Sequence, residues 1–338
     1  MVNILEAKKV FKSYSSNINI FKRKKIIVLD SFSLIVSESN PQAIAIAGES
    51  GSGKTTIARI LLGLINPSEG IILYKGKEIR RLSNKEFKDF RKDIQAVFQD
   101  PFEVYNPFYK VEHILAIPIN KFNIVKSKKE ISNLIEESLA YVGLNPIETL
   151  DRYPHELSGG QRQRLMIARI LALKSKVLIT DEPVSMIDAS LRGMILKGLL
   201  KLYNETGISL IYITHDLTTA YHLCKKIIIL YKGVVVEVGN VKDVINNPRH
   251  PYTKLLVSSI PIPDPDLKWS EGTINTEEDL SIEDKIEYHK CIFVSRCSQV
   301  KDKCLKSPPE LIQIENNHSV RCHNYKGQTV LMEDILNK

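Results

Sequence analysis

The stretch Gly48-Glu49-Ser50-Gly51-Ser52-Gly53-Lys54-Thr55 has the residue types and spacing of a phosphate cradle. Its glycines let backbone N–H groups turn inward as an anion nest, and a helix starting after Gly53 would aim its positive end at the same phosphates. Lys54 is placed to reach the β- and γ-phosphates of a nucleotide, and the Thr55 hydroxyl to ligate magnesium. A second chemical element is Val177-Leu178-Ile179-Thr180-Asp181-Glu182. Here an apolar strand delivers Asp181 to the metal, with Glu182 beside it to polarise a water attacking the γ-phosphate. Read alone, Asp181 and Glu182 would be an acidic strand end capping the next helix. A phosphate loop in the same chain favours the catalytic reading.

Both motifs need an α/β frame. Residues 43–48 (AIAIAG) form a continuous apolar run ending at glycine, the pattern of a strand buried on both faces. Residues 177–182, 210–216 and 227–233 repeat it, and 54–64 has helical spacing. Leu191, Met194, Ile195 and Leu202 predict one apolar helix face, with Gly207 as its stop. Strands alternating with helices imply a mostly parallel sheet with ligands at the strands' carboxyl ends. Residues 3–36 read as short strands around the basic insertion Lys22-Arg23-Lys24-Lys25. Residues from about 100 to 170 read as a helical insertion, in which 157–173 is a loop feeding a helix. After Pro261 the chain turns polar, acidic and proline-rich, a linker from 261 to 290. Cys291, Cys297, Cys304 and Cys322 then mark a small separate module at 291–338.

The order of further motifs resembles the ABC-type ATPases. Leu157-Ser158-Gly159-Gly160-Gln161 lies between Lys54 and Asp181, where it matches that family's signature loop; alone it would be a turn. Gln99 in VFQDP, Ser185-Met186-Ile187-Asp188 and His215 in ITHD follow in the family's order. The resemblance covers about residues 1–260. It implies a P-loop NTPase fold with a RecA-like core, an N-terminal antiparallel β part, a helical subdomain and a small cysteine-containing extension. It also implies a head-to-tail dimer in which each ATP lies between one subunit's phosphate loop and the other's signature loop. On this resemblance ATP is held by Tyr14, by residues Gly48 to Thr55 and by Thr56, with Tyr14 stacking on adenine and Phe11 or Phe21 as substitutes. Thr55, Gln99 and Asp181 hold Mg²⁺; Glu182, His215 and Gln99 are catalytic; Asp188 links the two sites. Ser158, Gly159, Gly160 and Gln161 meet the partner's ATP, and hydroxyl and amide donors at a helix start suit an arriving γ-phosphate.

A finer likeness joins GESGSGKTT, VFQDPFEVYNP, YPHELSGGQRQR, DEPVSMID and residues 247–253 (NPRHPYT) to the ATP-binding subunits of oligopeptide/dipeptide importers. VYNP in place of SLNP, and Met186-Ile187 in place of Ala-Leu, depart from that pattern. The cysteine spacing lacks the C-x2-C knuckle of common zinc sites. The likeness implies a four-iron four-sulfur cluster on Cys291, Cys297, Cys304 and Cys322, with zinc and free thiols or disulfides as the other readings. His289 and His323 flank the set.

Composition sets the outer bounds. The chain has 338 residues, 43% hydrophobic and 25% charged, which is ordinary globular usage. No run is long and apolar enough for a membrane helix, and no secretory leader is evident. A cassette without its own membrane span needs partners: two transmembrane permease subunits, a second ATP-binding subunit as a homologous heterodimer partner, and an extracytoplasmic solute-binding protein. Its place is then the cytoplasmic face of the cell membrane, as a peripheral subunit. A formal charge of +8 fits nucleic acid, an anionic membrane face or a polyphosphate; the motifs select the polyphosphate and leave no nucleic-acid partner. The same machinery carrying a sugar, nickel or glutathione is the alternative cargo. A soluble ABC ATPase working on ribosomes or DNA is the rival class. One cassette in the chain, and a signature too close to the phosphate loop to flank a long coiled coil, count against it.

Overall fold

The structure is a computed structural model that describes residues 3–19, 22–99, 105–185, 189–260 and 289–336. In chain order it begins with β1 (Asn3–Asn19) and β2 (Lys22–Ser37), then β3 (Ala43–Ala47), α1 (Lys54–Leu61), β4 (Glu69–Tyr74), β5 (Lys77–Glu78), α2 (Asn84–Asp93) and β6 (Ile94–Val97). Four helices follow: α3 (Val111–Phe122), α4 (Lys128–Tyr141), α5 (Pro146–Thr149) and α6 (Gly159–Ala172). The chain then alternates through β7 (Val177–Asp181), α7 (Ala189–Thr206), β8 (Ser209–Thr214), α8 (Leu217–Leu223), β9 (Lys226–Tyr231) and β10 (Val234–Asn240). It closes with α9 (Val241–Asn246), α10 (Pro251–Ser258), α11 (Asp302–Lys306), β11 (Ile312–Glu315), β12 (His318–Val320), β13 (Gln328–Thr329) and α12 (Met332–Leu336).

A nine-stranded sheet organises these elements in the order β13-β11-β12-β10-β9-β3-β8-β7-β6. The run β9-β3-β8-β7-β6 is parallel, so the carboxyl ends of all five strands lie along one edge. Period-two alternation splits their side chains between two cores. Ala43, Ala45, Ala47, Leu178, Leu210 and Tyr212 face a core with α3, α4, α6 and α7. Ile44, Ile46, Ile179, Ile211 and Ile213 face the opposite core with α1, β1 and β2. This two-sided burial is why those strands read as unbroken apolar runs rather than alternating ones.

The N-terminal part differs from the short strands expected. β1 and β2 form one long antiparallel hairpin that carries the basic run, pairing Ser15 with Lys25 and Ser16 with Lys24. Polar residues on a two-stranded ribbon carry no alternation to read, so pattern alone breaks it into pieces. The hairpin joins β4 and β5 in a second, four-stranded antiparallel sheet. In α7, Ile195 and Leu202 are buried but Met194 is exposed, one position off the face the sequence suggested. Gly207 follows α7 at φ +68°, a left-handed stop.

The tail also differs from a separate module. β12 pairs antiparallel with β10, with Glu237 opposite Val320 and Gly239 opposite His318, so the cysteine-bearing segment extends the main sheet. At the very end, the Gln42 side-chain amide and Lys226 Nζ donate to the Leu336 carbonyl. Trp269 and nearly all of the 261–290 linker lie outside the described residues.

Candidate nucleotide site

The phosphate loop leaves the carboxyl end of β3 and enters α1 at Gly53. Gly53 has φ +103°, and a Cβ there would stand 2.6 Å from the Val28 carbonyl oxygen, so both backbone conformation and space require glycine. Gly48 is equally confined: its Cβ would meet the Leu230 carbonyl oxygen at 2.1 Å. Lys54 is 5% exposed, and its Nζ donates to the carbonyls of Gly48 (2.7 Å) and Glu49 (2.8 Å). Burial pulls the Lys54 ammonium below the usual lysine range, opposed by the charges of Glu182, Asp181 and Glu49. The loop is braced from outside, the Gly233 N–H donating to the Ser52 carbonyl at 2.9 Å.

Asp181 ends β7, the second strand along from β3, and its carboxylate is hydrogen-bonded to Thr55. Burial pushes its pKa up, and the Thr55 bond and the Lys54 charge pull the other way. The Thr55 hydroxyl and the Asp181 carboxylate are hard oxygen ligands at a partly buried site, with the Glu182 charge beside them, so Thr55 and Asp181 fit Mg²⁺. Glu182 follows with φ +48°, an uncommon conformation for a residue with a side chain. Its N–H donates to the Ile213 carbonyl on β8 (2.9 Å), and its Oε1 lies 3.1 Å from Nδ1 of His215. His215 stands just past the end of β8 and is largely exposed, while Glu182 is mostly enclosed. Gln99 lies past β6 at the same edge, half-buried. The sheet order, more than chain order, therefore brings together Lys54, Asp181, Glu182, His215 and Gln99.

Tyr14 is 45% exposed on β1, opposite Ile26 of β2, with Lys12 Nζ 4.9 Å from its ring centroid. Since Val28 passes against Gly53, the hairpin carries Tyr14 along the flank of the phosphate loop. Phe11 carries Lys25 Nζ at 5.1 Å, and Phe21 lies outside the described residues. On a different surface, Ser158 is the exposed N-cap of α6. Its Oγ accepts from the Gln161 N–H (3.2 Å), and Gln161 Oε1 accepts from the Ser158 N–H (2.9 Å). The Ser158 hydroxyl keeps its own proton for an outside acceptor. Asp188 lies outside the described residues, with Met186 and Ile187.

The four tail cysteines are free thiols. Burial pushes the Cys291 and Cys322 thiols up, and nearby thiols push further, so the four share one locality. Among the described residues, however, no three or more His, Cys, Asp or Glu side chains stand as a group that could hold a metal ion. As placed, the thiols do not make the iron–sulfur site that the resemblance implied. His323 Nε2 bonds the Ser307 carbonyl at 2.9 Å. Cys224 caps the end of α8 as a buried core thiol.

Three residues that support this site, two directly and one through the turn before α10, gave no chemical signal in the sequence. Arg296, between two cysteines, forks onto the Glu49 carboxylate through Nη1 (2.8 Å) and Nη2 (3.1 Å). Tyr252 accepts the Glu49 N–H on its hydroxyl (2.8 Å). Glu237 of β10, fully buried, accepts the N–H groups of Arg249 and His250 (both 2.8 Å) and pairs with His318 Nε2 (2.7 Å). Of the three, only Tyr252 lies in a stretch whose sequence stands out, residues 247–253.

Comparison with known proteins agrees with this geometry. The ABC transporter family model matches residues 29–185, and that of the oligopeptide/dipeptide transporter C-terminal region matches 236–304. The oligopeptide transport ATP-binding protein OppF of Haemophilus influenzae is 39% identical over 292 residues, 86% of each chain. AppF of Bacillus subtilis, with the same description, is 37% identical over 332 residues, covering 95% of this chain and 97% of its own. Among solved structures, cbiO1 from Clostridium perfringens, part of the ABC transporter complex cbiONQ, superposes with TM-score 0.61 at 28% identity, covering 73% of this chain and 92% of that one. The ATP-binding cassette MJ0796, a dimer bound to ADP and Pi, gives 0.60 at 28% identity over 70% of this chain and 98% of its own. The chain belongs to the ATP-binding subunits of ABC transporters, in the branch that carries the oligopeptide/dipeptide transporter C-terminal region.

Proposed function

We propose that this ATPase powers uptake of oligopeptides or dipeptides from the cytoplasmic face of a membrane, with its phosphate loop, Asp181-Glu182 and His215 forming one hydrolytic half-site. The observation that carries the reading is their convergence at the carboxyl edge of five parallel strands. Lys54 leaves the loop carbonyls for the nucleotide's phosphates, and the loop amides other than those of Glu49 and Ser52, which bond Tyr252 and Glu49, cradle them. Thr55 and Asp181, with Gln99, would hold Mg²⁺, which neutralises phosphate charge when bound. Glu182 accepts a proton from the attacking water, and the His215 contact holds its carboxylate toward the γ-phosphate position. Tyr14 stacks on adenine.

The other half-site comes from a second ATP-binding subunit. Ser158 and the amides opening α6 offer donors on an exposed surface, so a γ-phosphate delivered there links two subunits, and its loss on hydrolysis releases them. The resulting motion reaches the membrane through the loop after Gln99. On the far side of that segment, Tyr105 opens a groove of about 760 Å³ lined also by Arg91, Tyr109, Ile117, Phe122 and Arg169. Phe108, 83% exposed, and Tyr109, 44% exposed, stand beside it as apolar surface that a permease helix would cover. No helix among the described residues is long and apolar enough to cross a membrane.

The iron–sulfur reading of the tail rests on donor chemistry alone, four thiols in one locality, and no step above runs through it. Brown protein with iron and acid-labile sulfide after oxygen-free purification would support it; colourless protein would dismiss it. The main proposal is tested by reconstituting the subunit with the permeases that co-purify from its membranes and measuring ATP-driven peptide uptake. Uptake of another solute class, with no effect of peptides on turnover, would overturn the assignment of cargo.

A further inference from the structure

The second residue of the phosphate loop is fastened at three separate groups. Its carbonyl accepts from Lys54 and from the Ser52 N–H (3.2 Å), both within the loop. Its N–H donates to the Tyr252 hydroxyl, and its carboxylate is forked by Arg296. The last two partners come from the far C-terminal part of the chain. They are themselves held: Phe293 packs against the rings of Tyr231, Tyr252 and His250, and the Arg296 guanidinium lies 5.8 Å from both the Tyr231 and Phe293 centroids. Arg296 immediately precedes Cys297, so the cysteine segment is the arm that carries this guanidinium to the loop.

A carboxylate at the mouth of a polyphosphate cradle is an electrostatic liability. Glu49 acts on Lys54 as a negative charge, and it would act on an incoming triphosphate in the opposite sense. A planar bidentate guanidinium cancels that charge and at the same time fixes the direction of the side chain. We propose that Arg296 is a positioning residue for nucleotide binding: by neutralising and orienting Glu49, the C-terminal cysteine segment sets the affinity of the phosphate loop for MgATP. Tyr252 does the same for the Glu49 backbone, turning its N–H out of the cradle.

This rests on the phosphate-loop assignment, and the full chain can test the two separately by titration with MgATP. Lys54→Ala should abolish binding; if it binds like the wild type, the assignment itself fails. Arg296→Ala should weaken MgATP about five-fold, the effect of one uncancelled charge near the phosphates through a screening medium, and the deficit should shrink in high salt. The double variant Arg296→Ala with Glu49→Gln should return to within about two-fold of the wild type, because the charge that needed cancelling is gone. A loss of packing in the tail would not be rescued by that second change. Glu49→Gln alone should bind no more weakly than the wild type, a test that stands even if Arg296→Ala misfolds. Wild-type affinity in Arg296→Ala, no rescue in the double variant, or weaker binding by Glu49→Gln would each overturn the proposal.

Discussion

Removing the Glu237 side chain should unfasten the C-terminal segment without dissolving the cassette. The carboxylate has no exposure, and it accepts two backbone N–H bonds at 2.8 Å and one from His318 Nε2 at 2.7 Å. Those partners belong to the turn before α10 and to β12, while Glu237 itself is on β10. One side chain therefore ties three elements in a place water does not reach. Glu237→Ala leaves three donors without an acceptor. Losing one partner of a buried charged cluster costs about 3–5 kcal/mol, and every 1.4 kcal/mol is ten-fold in an opening equilibrium. Local opening of 249–260 and 318–320 should become about a hundred-fold to a few thousand-fold easier. Hydrogen exchange read by mass spectrometry measures this directly, with strands β3, β7 and β8 as the internal reference. Affinity for MgATP should fall as well, because Tyr252 follows His250 by two residues and holds the Glu49 N–H. If exchange at 249–260 rises less than about ten-fold, the carboxylate is not the tie described. If β3 and β8 accelerate equally, the tail is not a separable unit of stability.

Glu182→Gln should keep nucleotide binding, stop phosphate release and trap an ATP-bound dimer visible by size exclusion; normal turnover would remove Glu182 from its role. Tyr14→Ala should weaken ATP by roughly 1–3 kcal/mol of lost base stacking while Tyr14→Trp retains it, measured by titration with ATP against a triphosphate lacking the base. His250 is held neutral by burial, its pKa lowered to about 3, and its Nδ1 accepts the Tyr252 N–H at 3.0 Å. The unfolded chain binds the extra proton first, so this stability is full above about pH 6.5 and is lost toward pH 3, by about 1.4 kcal/mol per pH unit. His250→Asn preserves an acceptor at the cap and should flatten that slope in urea melts taken across the window.

Much of the site was legible before any fold, and the reason is local. A phosphate loop must have glycine where the backbone takes unusual angles, lysine for charge and threonine for the metal, so eight consecutive residues carry their own explanation. The buried strands announce themselves because both faces of β3, β7 and β8 are apolar. The helix of the signature loop is legible because Ser158 and Gln161 form its capping box within four residues.

What only the tertiary structure decided is what depends on partners far away in the chain. The long β1–β2 hairpin has too little alternation to be read as one ribbon, and its extent is set by pairing. The closing strands β11, β12 and β13 are short and partly polar, and join the sheet because β10 offers them an unpaired edge. Glu237, Tyr252 and Arg296 look like ordinary residues in sequence. Their meaning comes from burial and from a carboxylate or an amide more than two hundred residues distant in two of the three cases, Tyr252 and Arg296 on Glu49. Chemistry held within one loop can be read from spacing; a charge cancelled across the molecule cannot, because nothing in the spacing of either partner encodes the other.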